Sequence, residues 1–142
     1  MDAAAYEPRY LAGIQFFNRH DFFEAHEVWE DLWNNCDDRD RRFYQALIQA
    51  AVALYHFGNG NLAGAAKLYR SARDYMARCP SPFLGLDTEA FWRRMEECFR
   101  PVLGPAPPDR GVRPDPALVP VLTLDPAPQE WPDPDDYLPD GG

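Results

Sequence analysis

The spacing of apolar side chains along the first hundred residues is that of α-helices. Apolar residues recur every three or four positions, and no segment alternates apolar and polar residues as a half-buried strand does. These stripes predict five helices, at about residues 8–18, 22–35, 40–57, 61–78 and 88–100. The sequence therefore predicts an all-α protein, a bundle of about five helices built from helical hairpins.

Residues that start or stop helices support these boundaries. Pro8 suits a first helical turn, and Asp21 followed by Glu24 has the pattern of a capping box. Gly58-Asn59-Gly60 is a strong stop signal, and Pro101 is expected to end the fifth helix because proline blocks a helix interior. The third helix carries no Asp, Glu, Lys or Arg over residues 43–57, which predicts a position at the centre of the bundle.

The prolines are concentrated at the C-terminal end of the chain. Twelve of the fifteen fall after residue 100, where they exclude regular helices and strands. We therefore predict a helical domain over residues 1–104 and an extended, Pro/Asp-rich tail over residues 105–142. The tail contains Leu122, Leu124 and Trp131, whereas a freely disordered linker lacks large apolar groups. It is expected to pack on the helical domain or on a partner subunit, with a loose tail as the alternative.

Charge and cysteine content exclude several classes of protein. The chain has 14 basic and 23 acidic residues, a net charge of −9, so it would repel a phosphate backbone and we expect no nucleic-acid partner. We expect no membrane partner, because no apolar run approaches the ~20 residues of a spanning helix. The three widely spaced cysteines form no disulfide framework or zinc ribbon, which fits a cytoplasmic protein.

Polar groups interrupt the apolar stripes of the second and third helices. On a helical wheel His26 lies inside the stripe of the second helix, and Glu30 lies one turn later on the same face. Gln45, Gln49 and His56 form the one polar stripe of the third helix. Because buried polar groups need partners, we predict that the two stripes meet, with His26 and Glu30 facing Gln49 and His56.

Two hypotheses fit this cluster, and whether the protein is an enzyme stays open between them. In the first, His26, Glu30 and His56 are candidate catalytic groups of a hydrolase-like acid–base site, or the cluster binds a ligand. In the second, the protein is a helical interaction or structural module, and the cluster is a buried hydrogen-bond network. No cofactor is predicted. A divalent metal, if bound, would be held by the same three residues, although the zincin and di-iron spacings are absent.

Four segments of the sequence resemble a known family. They are Asp21–Trp33 (DFFEAHEVWEDLW), Phe43–Gln49 (FYQALIQ), Ala53–His56 (ALYH) and Gly60–Ala65 (GNLAGA). Together they resemble the bacterial and archaeal family called domain of unknown function 309, over about residues 10–76. The resemblance implies a small, all-helical, cytosolic protein. It supplies no reaction, because the family has no established activity.

The resemblance also implies a set of signature positions. They are Glu24, His26, Glu27, Glu30, Trp33, Gln49 and His56. Glu24, Glu27, Trp33 and Gln49 thereby become candidate ligand-binding residues. The chain departs from the pattern at Ala46, where many members have glycine, which is expected to alter close helix packing.

The aromatic content exceeds what a core of about a hundred residues readily hides. The residues concerned are Trp29, Trp33, Tyr55, Tyr69, Trp92 and Trp131. Aromatic side chains that do not fit a core are typical of subunit interfaces, so we predict a homodimer.

Overall fold

Five α-helices follow one another along the chain in the computed structural model, which describes residues 5–139. They are α1 (Pro8–Asn18), α2 (Phe22–Asn35), α3 (Asp38–Gly58), α4 (Leu62–Ala77) and α5 (Thr88–Leu103), and a 3₁₀ helix follows at Pro134–Tyr137. No β-strand forms within the described residues, so the all-α prediction is confirmed. None of the helices in this part of the chain is long and apolar enough to cross a membrane.

The predicted helix ends differ from the observed ones by more than one residue at two places. α3 begins at Asp38, two residues before the predicted start. α5 continues past Pro101 to Leu103, so the prediction that Pro101 ends the helix is wrong. The apolar face of α5 extends to Val102, which is buried. Burial of the Val102 side chain favours one more helical turn, so Pro101 lies inside α5, two residues before its end.

Side chains of the preceding residues cap the N-termini of α4 and α5. Asn61 Oδ1 accepts from the backbone N–H of Gly64 and Asp87 Oδ1 accepts from that of Ala90, each at 3.0 Å. Asp21 precedes α2 as predicted, but its side chain makes no capping hydrogen bond. The predicted capping box between Asp21 and Glu24 therefore does not form.

α3 is the central helix of the bundle. Each helix packs on the next one in the chain, and the contact between α3 and α4 is the most extensive. α3 contacts both α2 and α4, and its buried side chains cover more than half of its circumference between Phe43 and Phe57. The predicted polar stripe of Gln45, Gln49 and His56 is the half-buried remainder. Three of them, Ala46, Ala50 and Ala53, are fully buried and small enough to allow close packing.

Trp29 joins α1 to α2 through direct contact with Gly13. The indole is fully buried, and its Nε1–H donates to the backbone oxygen of Tyr10 at 3.2 Å. A methyl group built on Gly13 would overlap the indole ring. Glycine at position 13 therefore lets the backbone of α1 lie directly on the ring of α2.

The chain beyond α5 packs on the helices of the same molecule. Asn18 holds it by two hydrogen bonds, because its Nδ2 donates to Leu122 O at 3.0 Å and its Oδ1 accepts from Leu122 N at 2.8 Å. Leu124 forms an isolated antiparallel bridge with Leu86. Val119, Leu122 and Leu124 are buried with the core. The division into a domain and a tail at residue 104 stays a prediction.

Replacing Gly13 by alanine should destabilise the fold. The new methyl group overlaps a fully buried indole that has no room to move, so we expect the free energy of unfolding to fall by about 1–3 kcal/mol. Gly58→Ala is the matched control, because a methyl group at this exposed helical position meets nothing. The control should leave stability unchanged or raise it by up to about 1 kcal/mol. Urea denaturation followed by circular dichroism measures both, and equal effects would contradict the proposed contact.

Deleting residues 105–142 should destabilise the helical core and cause aggregation. The deletion removes Val119, Leu122 and Leu124, and burying one such side chain contributes roughly 1.5–3 kcal/mol. A shorter deletion, of residues 127–142, keeps these three side chains and should lower the stability less. Thermal denaturation and light scattering compare the two proteins with the full chain. A fully stable, soluble product of the longer deletion would show that the core does not depend on this segment.

Candidate functional site

His26 and Glu30 meet on the surface of α2. His26 Nε2 lies 3.1 Å from Glu30 Oε2, and the two side chains are 22% and 54% exposed. The residues are one helical turn apart, which is the spacing at which side chains on one helix face touch. The other ring nitrogen, His26 Nδ1, lies 3.1 Å from the backbone oxygen of Phe23. The predicted pairing of His26 with Glu30 is therefore present, but at the surface.

Both ring nitrogens of His26 lie against oxygen acceptors. Carbonyl and carboxylate oxygens only accept, so both contacts are hydrogen bonds only when the ring carries both protons. The geometry thus occupies both nitrogens of His26 with contacts inside α2. A general base or acid needs a ring nitrogen that faces its substrate. In this arrangement neither nitrogen of His26 is free for that role.

Within residues 5–139, neither Gln49 nor His56 is hydrogen-bonded to this pair. His56 Nδ1 lies 3.4 Å from Asn61 Nδ2, so the imidazole accepts a hydrogen bond from the amide that also caps α4. Gln49 Oε1 is buried and has no hydrogen-bond partner among residues 5–139. The prediction of one hydrogen-bonded cluster of His26, Glu30, Gln49 and His56 is therefore wrong.

Two aromatic rings connect the histidines instead. The ring of Phe23 lies 5.3 Å from that of His26 and 5.5 Å from that of Tyr55, and the ring of Tyr55 lies 6.1 Å from that of His56. Phe23 and Tyr55 are 44% and 39% exposed. Sequence reasoning missed Phe23, and it named Tyr55 only among the aromatic residues expected at a subunit interface. The signal was present, because Phe23 stands three positions before His26 on the same stripe of α2.

Glu27 belongs to the same surface of α2. It lines an open cavity of about 230 Å³ beside the His26–Glu30 pair, together with Asp31, Asn34 and Pro139. Asp31 is already engaged, because its Oδ2 lies 2.8 Å from Arg9 Nε of α1. The pair therefore borders a small acidic depression at the protein surface.

The remaining candidates, Trp33 and Glu24, have other local roles. The guanidinium of Arg41 lies 4.0 Å from the centre of the Trp33 ring, and its Nη1 donates to Trp33 O at 3.2 Å. Trp33 thus connects the end of α2 to the start of α3. Glu24 lies in the first turn of α2, where a negative charge interacts favourably with the helix dipole.

A metal-ligand set does not assemble from the predicted residues. Of His26, Glu30 and His56, the first two are in contact, and His56 is bonded to Asn61. Over residues 5–139, no three His, Cys, Asp or Glu side chains are arranged so that they could hold a metal ion. Binding of a divalent metal remains an untested hypothesis.

These features define a small all-helical protein with a polar and aromatic surface on its second and third helices. Residues 10–68 match the model of the family described as "Domain of unknown function (DUF309)". This match confirms the predicted resemblance. It runs from α1 into α4 and includes Gly13 and Trp29 as well as His26, Glu30 and His56.

Two uncharacterised proteins are similar to parts of the chain. One, from Aquifex aeolicus (strain VF5), is 34% identical over 82 residues, which are 57% of this chain and 25% of that protein. The other, the uncharacterized protein YpuF of Bacillus subtilis (strain 168), is 41% identical over 56 residues, which are 39% of this chain and 32% of that protein. The matched part of the chain thus spans between a quarter and a third of the length of these relatives.

Replacing Gln49 by methionine should not destabilise the protein. The substitution removes a buried amide oxygen that has no partner, and leaving such a group unpaired costs about 1–3 kcal/mol. We expect the free energy of unfolding to stay the same or rise. Asn61→Ala is the contrasting control, since it removes a helix cap and should cost about 0.5–2 kcal/mol. If Gln49→Met lowered the free energy of unfolding as much as Asn61→Ala does, the hypothesis of a buried hydrogen-bond network would be restored.

Proposed function

We propose that this protein is a helical binding module that docks a polypeptide segment bearing both apolar and basic side chains. The docking face is formed by Phe23, His26, Glu27 and Glu30 of α2 and Tyr55 of α3, here named the aromatic–acidic surface. The observation that carries the proposal is the contact between two large, exposed aromatic rings beside a row of carboxylates.

The apolar part of this surface is the pair Phe23 and Tyr55. Single exposed apolar side chains are ordinary, but two aromatic rings in contact across two helices form a patch. Aromatic residues are enriched in protein–protein interfaces, where a few of them supply most of the binding energy. The rings stand on two helices of a packed bundle, so little ordering is needed when a partner binds.

The charged part of this surface specifies a basic partner. α2 carries four acidic residues, Glu24, Glu27, Glu30 and Asp31, and no lysine or arginine. The chain as a whole has a net charge of −9. Opposite charge speeds association and disfavours acidic competitors. An amphipathic helix with apolar and basic side chains on one face matches both parts of the surface.

Acid–base chemistry at the His26–Glu30 pair is the second candidate function. The cavity of about 230 Å³ that this pair borders supports it, since a small ligand would lie against both side chains and Glu27. It ranks second because a carboxylate and a backbone oxygen occupy both nitrogens of His26. A reaction would require one of these contacts to break.

The location and the assembly of the protein belong to the same proposal. Cys36, Cys79 and Cys98 are free thiols, which supports a reducing, cytoplasmic setting. The homodimer stays a prediction. Two copies that met through the aromatic–acidic surface would bring like charges of α2 together, so this face favours a basic partner over a second copy.

A designed helical peptide with leucine and lysine on one face tests the proposal. We expect it to bind, and the same peptide with glutamate in place of lysine not to bind, when fluorescence anisotropy is measured. Phe23→Ala should weaken binding by about thirtyfold, the effect of losing an interface hot spot of about 2 kcal/mol. Val121→Ala, at an exposed apolar position on another face, is the control and should change nothing.

A matched pair of charge variants separates docking from general attraction to an acidic protein. Glu30→Gln should weaken binding, whereas Asp74→Asn, which removes an exposed carboxylate on α4, should not. Equal effects of the two variants would contradict the proposed surface. Analytical ultracentrifugation tests whether a second copy of this chain occupies the surface instead. A dimer of the natural protein that becomes a monomer in Phe23→Ala would mean that a second copy covers this face.

A further inference from the structure

A second cavity, unrelated to the sites above, lies between the start of α1 and the end of the chain. Its volume is about 400 Å³, within the range of roughly 300–1,000 Å³ typical of small-molecule sites. We name it the aromatic cavity. Its principal lining side chains are Tyr6, Pro8, Glu130, Trp131, Pro132 and Tyr137.

Tyr6 and Tyr137 are held in place by the fold. The hydroxyl of Tyr6 donates to Pro126 O at 2.6 Å, and the ring lies on Gly85, where a side chain would overlap it. Burial, and then the negative charge of Asp125, raise the pKa of the Tyr6 phenol. A phenol is protonated at neutral pH, so Tyr6 is the donor of this hydrogen bond. Tyr137 belongs to the 3₁₀ helix, which packs on α1. The aromatic cavity is therefore largely formed before any ligand arrives.

Trp131 completes the aromatic wall and remains accessible. It is 45% exposed, although it carries the largest apolar side chain of this region. Prolines at positions 128 and 132 flank it and also line the cavity. They restrict the backbone on both sides, which lowers the entropy lost when a ligand orders the tryptophan.

The lining of the aromatic cavity is suited to a positive charge. Three aromatic rings line the cavity, the face of an aromatic ring carries partial negative charge, and Glu130 adds a full negative charge. No lysine, arginine or histidine is among the described residues that line it. Residues 101–142 carry two basic and eight acidic side chains, so the surrounding chain is also negative. A ligand that is cationic and at the same time apolar satisfies all of these features.

We propose that the aromatic cavity binds a quaternary alkylammonium group. Such a cation is weakly hydrated, so it loses little solvation when aromatic rings replace water, and its methyl groups contact the rings and prolines. A free alkylammonium compound and the trimethylated lysine of a peptide share this chemistry. The site shares no residue with the aromatic–acidic surface, so each proposal is tested independently of the other.

A titration of the full-length protein with choline tests the proposal. The readout is the indole N–H signal of Trp131 in a ¹⁵N–¹H NMR spectrum, identified by its loss in Trp131→Phe. We expect choline to shift this signal and 3,3-dimethylbutan-1-ol, its uncharged isostere, to leave it unmoved. Equal shifts by the two compounds would overturn the proposal, because the cavity would then be a general apolar pocket.

Two substitutions of Trp131 test whether the aromatic ring itself binds the cation. Trp131→Leu keeps an apolar side chain but removes the ring, and should weaken choline binding about tenfold, the contribution of one desolvated cation–π contact. Trp131→Phe, which keeps an aromatic ring, should lower the affinity for choline less. Val121→Ala, at an exposed residue outside the cavity, should bind choline as the natural protein does. Calorimetry measures all three, and equal affinity of Trp131→Leu and the natural protein would overturn the proposal.

Paired peptides distinguish the two sources of the group. If a peptide with trimethyl-lysine binds more tightly than choline and its unmethylated counterpart does not bind, the ligand is a modified protein. If choline binds as tightly as the methylated peptide, the ligand is a free small molecule. Failure of choline and of the methylated peptide to shift the Trp131 signal would overturn the proposal.

Discussion

The contact between the Trp29 indole and the bare backbone at Gly13 is the constraint on which the rest of the structure depends. It places the indole of α2 directly against the backbone of α1, and the hydrogen bond from Trp29 to Tyr10 fixes the ring in one orientation. Once the stripe that contains Trp29 faces inward, the rotation of α2 about its axis is determined. Every property of the surface on α2 follows from that rotation.

The opposite stripe of α2 faces outward for the same reason. It carries Phe23, His26, Glu27 and Glu30. Phe23 is three and four positions before His26 and Glu27, and Glu30 is four and three positions after them, which is why these side chains adjoin one another. Water is available at this surface, so the polar groups need no partners from α3. His26 is satisfied within its own helix, by the backbone of the preceding turn and by the carboxylate of the next.

The helices and the His26–Glu30 pair could be predicted, because both depend on spacing within one segment. The wider cluster could not. A helical wheel gives the direction in which a side chain points around the axis of its helix. It does not give how far two packed helices are shifted along their axes, or how one is rotated against the other. Those two quantities place the ring of Tyr55 against that of Phe23, in the first turn of α2. They also leave Gln49 Oε1 buried without a hydrogen-bond partner in the described part of the chain.

The sequence by itself determined the number and type of elements, the central position of α3 and the family to which residues 10–68 are similar. These properties are encoded locally, in apolar spacing and in short motifs. Tertiary structure decided which side of each helix meets water, how Pro101 is accommodated, and where the segment after α5 packs. Those outcomes depend on contacts between residues far apart in the chain, such as Asn18 with Leu122 and Tyr6 with Pro126. A pattern within one segment carries no information about distances between segments, so only the packed chain reveals both proposed binding sites.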